Sequence, residues 1–258
     1  MLGAIAGDII GSAHEFGLTK TKDFPLFGPR CDFTDDTVMT VAIAQAVLTD
    51  GDYRRAALDF GRRYPGRGYG GSFQQWLASP DPRPYGSYGN GAAMRASPVG
   101  FAFSSIDQVL REAGRSAAFS HDHPEGLKGA QAAALAVFLA RTTRDKALVK
   151  EEIASRFGYD LDRTVDAIRP GYRHVESCQE TVPEAVISFL ESTSYEDAVR
   201  NAVSLGGDAD TLACIAGGIA EAFYGPVPSE ILAGVRRCLS PELWDILERF
   251  YRAFRLPF

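Results

Sequence analysis

Three segments of this chain are apolar on nearly every helical face: TVMTVAIAQAVL (37–48), KGAQAAALAVFLAR (128–141) and DTLACIAGGIAEAFYG (210–225). A helix without a polar face belongs in an interior, so these runs predict central buried helices with others wrapped round them. Their Ala and Gly content lets neighbouring backbones approach closely. Gly217-Gly218 weakens helix propensity and therefore calls for a packing reason. DQVLREAGRSAAF, PEAVISFLEST, YEDAVRNAVSL and PELWDILERFYRAF show the i, i+3, i+4 spacing of amphipathic surface helices. Ser240-Pro241-Glu242 marks a helix start, with Ser at the N-cap and Pro at the first helical position. Alternating β-type runs are nearly absent. The expectation is an all-α fold, one domain over residues 1–258, without repeats or linker-like stretches. The longest irregular region runs over 64–90, and its aromatics (Tyr69, Phe73, Trp76, Tyr85, Tyr88) point to a functional loop.

Composition narrows the class. With 45% hydrophobic and 23% charged residues in 258, the chain reads as a soluble globular protein able to bury a large core. A net charge of −6 argues against a dedicated nucleic-acid surface. Cys31, Cys178, Cys214 and Cys238 are scattered, without zinc-ligand spacing, as expected of reduced thiols in a cytoplasmic protein. No signal-peptide pattern and no membrane-spanning run is present.

Acids gather at the entrances of two buried helices. In FTDDTVMT (33–40), Asp35 and Asp36 lie between Thr34 and Thr37; in GGDADT (206–211), Asp208 and Asp210 precede Thr211. Helix capping accounts for one acid or Thr at each place. It does not account for two acids leading into a helix packed on all sides. If the two entrances face each other, four carboxylates converge, and they would repel and resist desolvation. Hard oxygen ligands of this kind suit Mg²⁺ or Mn²⁺, and their number suits two ions. Capping with surface ion pairs and a two-cation centre both stay open at this point. The N-terminal run GAIAGDIIGSAHEFG (3–17) adds Asp8 and Glu15, seven residues apart on one helix face, with Glu15 at the helix end. Asp8 is read as a helix contact outside the site.

GAIAGDIIGSAHE, FTDDT, YGNGAAMR, SHDHPEGLKGAQ and LGGDADT occur here in the order seen in the ADP-ribosylhydrolase (ADP-ribosylglycohydrolase) family, which this chain resembles from about residue 3 to about residue 225. The resemblance implies an all-α orthogonal helical bundle with a binuclear Mg²⁺ or Mn²⁺ centre. It implies Thr34, Asp35, Asp36, Asp208, Asp210 and Thr211 as ligands, with Asp210 bridging the ions. It matches Glu15 to a mobile glutamate near the metals, a ligand or a catalytic acid/base. Glu15 and Asp36 become the residues on which catalysis turns. The implied reaction is hydrolysis at the anomeric carbon of ADP-ribose in a modified substrate, most simply a protein side chain, with free ADP-ribose as product.

The remaining motifs suit the rest of that ligand. In YGSYGNGAAMR a Gly-rich turn precedes a helix starting near Ala92, so backbone N–H groups around Ser87, Gly89, Asn90 and Gly91 can cradle a diphosphate. Tyr88 stacks on adenine or packs. GYGGSF (68–73) resembles a family loop lining the ribose-phosphate region, which brings in Tyr69, Gly70 and Ser72. Some members carry an acid just before it; this chain has Pro65-Gly66-Arg67, a departure that leaves an arginine linkage open. Ser120 and His121 resemble positions near the ligand, with His121 bonding ribose or phosphate; the alternative is that His121 caps the next helix. His14 is read as a packing residue or one that supports the site from behind, and 159–179 as a solvated, partly irregular connection. Two rival readings stand: another two-metal hydrolase of a nucleotide-like or N-glycosyl substrate, and a non-catalytic ADP-ribose-binding protein.

Overall fold

The computed structural model describes residues 1–16 and 19–257. Gly17, the last residue of the N-terminal run, lies outside the described residues, as does Phe258. The helices in chain order are α1 (Leu2–Ser12), α2 (Asp35–Leu48), α3 (Tyr53–Arg63), α4 (Gly71–Ala78), α5 (Gly91–Met94), α6 (Ser97–Ala102), α7 (Ile106–Ala118) and α8 (Pro124–Thr143). They continue with α9 (Lys146–Phe157), α10 (Val165–Ile168), α11 (Cys178–Leu190), α12 (Tyr195–Ser204), α13 (Ala209–Tyr224), α14 (Ser229–Cys238) and α15 (Pro241–Ala253). Among the described residues the only β pairing is an isolated antiparallel bridge between Gly89 and Ser177. The all-α expectation holds.

The three all-apolar runs form the interior as α2, α8 and α13, joined by α1. Helix α1 lies along α13, and α13 also packs on α8, α11 and α12. Glycine makes the α1–α13 pairing possible. A Cβ at Gly7 would collide with the Ala213 carbonyl, and one at Gly217 with the Gly3 carbonyl. At Gly218 a Cβ would sit 3.2 Å from Ser97 and 3.3 Å from Ala4. The cost of about 1 kcal/mol per helical Gly is offset by backbone-to-backbone contact that no larger residue permits. This close approach brings the N-terminal end of α13 beside the C-terminal half of α1.

Three expectations need correction. The N-terminal helix stops at Ser12, so Asp8 is helical but Glu15 stands beyond the end, in a turn. Region 64–90 is interrupted by α4, because Phe73 and Trp76 find a buried aromatic stack. Tyr69–Phe73, Phe73–Trp76 and Trp76–Phe119 have ring centroids 5.8, 5.1 and 5.2 Å apart. The PEAVISFLEST helix begins earlier, at Cys178, and carries Pro183 inside it. Ser240 caps α15 as expected, accepting from the Leu243 N–H at 3.3 Å.

Candidate active site

The entrance of α2 is built from three residues. Thr34 is the N-cap, its hydroxyl accepting from the Asp36 N–H at 3.2 Å and donating to Asp8 Oδ1 at 2.7 Å. Asp8 Oδ2 accepts from the N–H groups of Thr34 (3.0 Å) and Thr37 (3.1 Å) and from the Thr37 hydroxyl. The Arg67 carbonyl takes the Asp35 N–H at 2.7 Å, so with Thr34 and Asp8 the orphan donors of the helix are satisfied and the Asp35 and Asp36 side chains are not needed as caps. Asp8, read from sequence as lying outside the site, is the buried support of this entrance. No sequence signal marked it, because its role needs α1 beside α2.

The entrance of α13 is supported differently. Asp208 stands at the N-cap but makes no side-chain cap bond; its Oδ2 accepts from Asn90 Nδ2 at 2.7 Å. Thr211 donates its hydroxyl to Asp36 Oδ2 at 3.2 Å, joining the two entrances. Gly206 and Gly207 lead into α13 with φ of +71° and +80°.

Among the described residues no ion pair reaches the converging carboxylates. Oxygen atoms of Asp8, Asp36 and Asp210 lie within 4.8 Å of one another, and so do those of Glu15, Asp208 and Asp210; Asp210 belongs to both groups. Asp36 Oδ1 is buried and, among the described residues, has no hydrogen-bond partner; the neighbouring Cys214 thiol donates to the Met94 carbonyl, 3.4 Å away. Burial, then the neighbouring acids, pushes Asp35, Asp36 and Asp210 well above the carboxylate range. Burial lifts Asp8 to about 6 against its Thr37 and Thr34 bonds. Burial, then Asp208, lifts Glu15 to about 7. Each shift says that a negative charge here is disfavoured until something positive arrives. An orphaned buried carboxylate oxygen and an all-oxygen donor set fit a hard divalent cation.

All of these acids except Asp8, which stands behind them, line one cavity of ≈ 220 Å³. Of the residues picked out from sequence, Glu15, Asp35, Asp36, Asp208, Asp210, Thr211, Gly70, Ser72, Ser87, Gly89, Asn90, Gly91 and His121 line it. Thr34, Tyr69 and Tyr88 do not. Thr34 faces Asp8. Tyr69 is buried on Phe73 and donates to the Tyr64 carbonyl at 3.0 Å. Tyr88 is 51% exposed, edge-on to His123 at 5.3 Å, in an adjoining groove with Ser87 and Glu176. The helix after the Gly-rich turn, α5, is a single turn.

Sequence reading missed Arg95 and Glu176, which also line the cavity. Arg95 is 1% exposed, its guanidinium 4.4 Å over the Phe119 ring. A signal existed: an arginine closing the otherwise apolar AAMR turn. Glu176 had none, lying in a connection read as solvated, where its carboxylate meets His174 Nε2 at 3.2 Å. The capping alternative for His121 falls, because His123 is the cap, its Nδ1 accepting from the Glu125 N–H at 3.1 Å. His14 does pack, 4.6 Å from Phe24. Arg67 turns away from the acids, over the Phe33 ring (3.6 Å) and onto Asp32 (2.6 Å).

The family model described as ADP-ribosylglycohydrolase matches residues 1–257. The chain belongs to the ADP-ribosylglycohydrolase family. It is a glycohydrolase enzyme of that family. It is 29% identical to ADP-ribosylhydrolase ARH3 of Danio rerio, over 100% of this chain and 90% of that protein. It is likewise 29% identical to the Homo sapiens ADP-ribosylhydrolase ARH3, over 86% and 79%. ADP-ribosylarginine hydrolase Tri1 of Pseudomonas putida is 25% identical, over 87% and 69%. A solved chain of an ADP-ribosylglycohydrolase-related protein complex superposes with a TM-score of 0.75 at 26% identity, covering 97% of this chain and 95% of that one. No helix among the described residues is long and apolar enough to cross a membrane.

Proposed function

We propose that this glycohydrolase cleaves the bond between the anomeric carbon of ADP-ribose and an acceptor side chain, adding water across it and releasing ADP-ribose. One observation carries the reading: two acid groups share Asp210, every member but Asp8 lines a single cavity, and Asp36 holds a buried carboxylate oxygen with no partner among the described residues. Asp35, Asp36, Asp208, Asp210 and Thr211 would hold two divalent cations, Mg²⁺ or Mn²⁺, with Thr34 as the outermost member of the set. When bound, such ions supply Lewis acidity toward ribose hydroxyls and lower the pKa of a water.

The chain's own groups divide the remaining work. Asp8 holds the α2 entrance and Asn90 orients Asp208, so the carboxylates are placed before any ligand enters. Glu15, held near pH 7, takes a proton from the attacking water or gives one to the leaving acceptor. Such cleavage builds oxocarbenium character on the ribose. The Ser87–Gly91 turn and His121 line the same cavity as the acids, and their N–H groups would meet the diphosphate. Some solvent-facing groups, Tyr88 among them, would meet the adenine.

The test is release of free ADP-ribose from arginine-linked and serine-linked ADP-ribosyl peptides, with Mg²⁺, with Mn²⁺ and with chelator. Release from one peptide, abolished by chelator, is the expected result and names the linkage. Turnover that is indifferent to chelator overturns the cation-dependent reading. No release from either peptide, despite cation-dependent binding of ADP-ribose, moves the search to another acceptor.

A further inference from the structure

Arg95, Ser120 and His121 form a buried relay beside the Gly-rich turn. Arg95 Nη2 donates to Ser120 Oγ at 2.9 Å, and Ser120 Oγ lies 2.8 Å from His121 Nδ1. The same Nη2 is 3.5 Å from His121 Nδ1. Arg95, Ser120 and His121 are 1%, 0% and 5% exposed. A guanidinium offers only donors, so Ser120 Oγ must accept from it. Among the described residues His121 Nδ1 is the one other partner of Ser120 Oγ, so the serine proton goes there and Nδ1 is the lone-pair nitrogen. The opposite tautomer would aim an Nδ1–H at a cation 3.5 Å away. Burial, then Arg95, also holds His121 well below the ordinary histidine range, so the ring is neutral and one tautomer has to be chosen.

The other nitrogen faces the ligand side. A Cβ at Gly91 would fall 3.1 Å from His121 Nε2, and one at Gly89 3.5 Å from it. Glycine at both positions thus lets the imidazole edge reach the turn. Among the described residues no hydrogen bond involves Nε2, and His121 lines the cavity.

We propose that Arg95 and Ser120 are positioning residues that fix His121 as its Nε2–H tautomer, presenting a neutral N–H donor to the anionic part of the ligand. Arg95 thereby acts on the site through Nη2, besides lining the cavity itself. A donor of no charge can grip an oxygen without pulling the ligand away from the cation end of the cavity. Only the identity of the ligand rests on the ADP-ribose reading; the tautomer does not.

The experiment is long-range ¹H–¹⁵N correlation on histidine-labelled protein, without ligand. The chain has four histidines, and His121→Gln assigns the signal. The wild type is expected to show a pyridine-type Nδ1 and a pyrrole-type Nε2. Ser120→Ala and Arg95→Met are expected to lose that pattern, Arg95→Lys to keep most of it. Ser120→Ala is also expected to bind ADP-ribose about tenfold more weakly, the loss of one well-made hydrogen bond. Should Arg95→Met not fold, Ser120→Ala carries the test alone. A wild-type His121 protonated at Nδ1 overturns the proposal whatever the protein binds. So does an Nε2–H signal unmoved in Ser120→Ala and in every folded Arg95 variant. The expected tautomer in a wild type that does not bind ADP-ribose would sink the functional reading and leave the relay standing.

Discussion

The α2 entrance is held from behind, by a buried aspartate on another helix that gathers Thr34 and Thr37. The α13 entrance is held from in front, by Asn90 on a loop, and approached through two glycines in left-handed backbone. Both sequences place paired acids before a Thr, and both present bare carboxylates to one cavity. The difference shows that the acids themselves are not what organises either helix end. Capping falls to Thr34 and Asp8 on one side. On the other, even the N-cap aspartate gives its side chain to a neighbour. The carboxylates are left free, and free buried carboxylates are a standing cost that a bound cation removes.

Changes that strike both entrances should have the largest effect. Asp36→Ala and Asp210→Ala are each expected to lower ADP-ribose release by more than about 100-fold, since even outer-shell changes reach that range; near-normal turnover in either would break the shared-site reading. Asp8→Ala strikes the α2 side alone. It strands the Thr37 hydroxyl and two backbone donors, so denaturant unfolding should show a loss of about 3 kcal/mol. A stable Asp8→Ala protein would mean that Thr34 suffices.

Gly207→Ala strikes the α13 side through the backbone. A Cβ there needs φ of +80° and would lie 2.6 Å from the Arg173 carbonyl; the expected cost is about 2 kcal/mol in thermal or denaturant unfolding. Asn90→Ala leaves the fold in place but frees Asp208, and about a tenfold rise in the cation concentration needed for activity is expected in a Mn²⁺ titration. The smallest effect has the opposite sign. In chelator, Asp36→Asn removes one charge from the cluster and should stabilise the protein by about 1 kcal/mol, while abolishing the gain that Mn²⁺ gives the parent. A lower melting temperature in chelator would mean that Asp36 is already satisfied without a cation.

Some of this was visible along the chain. All-round apolar runs announced α2, α8 and α13, because a helix without a polar face has nowhere to go but inside. The glycines of α13 announced a close neighbour without saying which. The paired acids before Thr37 and Thr211 announced the cavity, since two charges at the mouth of a buried helix need a reason beyond capping. Periodicity and spacing are local quantities, and they suffice where the cause is local. Helix ends were less legible: α1 stops before Glu15, and α4 condenses out of a stretch rich in Gly and Pro because Phe73 and Trp76 find partners far away in sequence. Tyr69 was drawn into that same stack and away from the cavity.

What tertiary structure alone decided was pairing across distance. Asp8 supports an entrance 26 residues away, Asn90 reaches an aspartate 118 residues away, and Thr211 spans 175 residues to Asp36. Arg95 turns inward over Phe119 and reaches His121 chiefly through Ser120. None of these leaves a mark in spacing, because a hydrogen bond between distant residues depends on how helices cross. Residue type and period said which side chains were available. The close α1–α13 crossing, permitted by glycine, determined which of them meet.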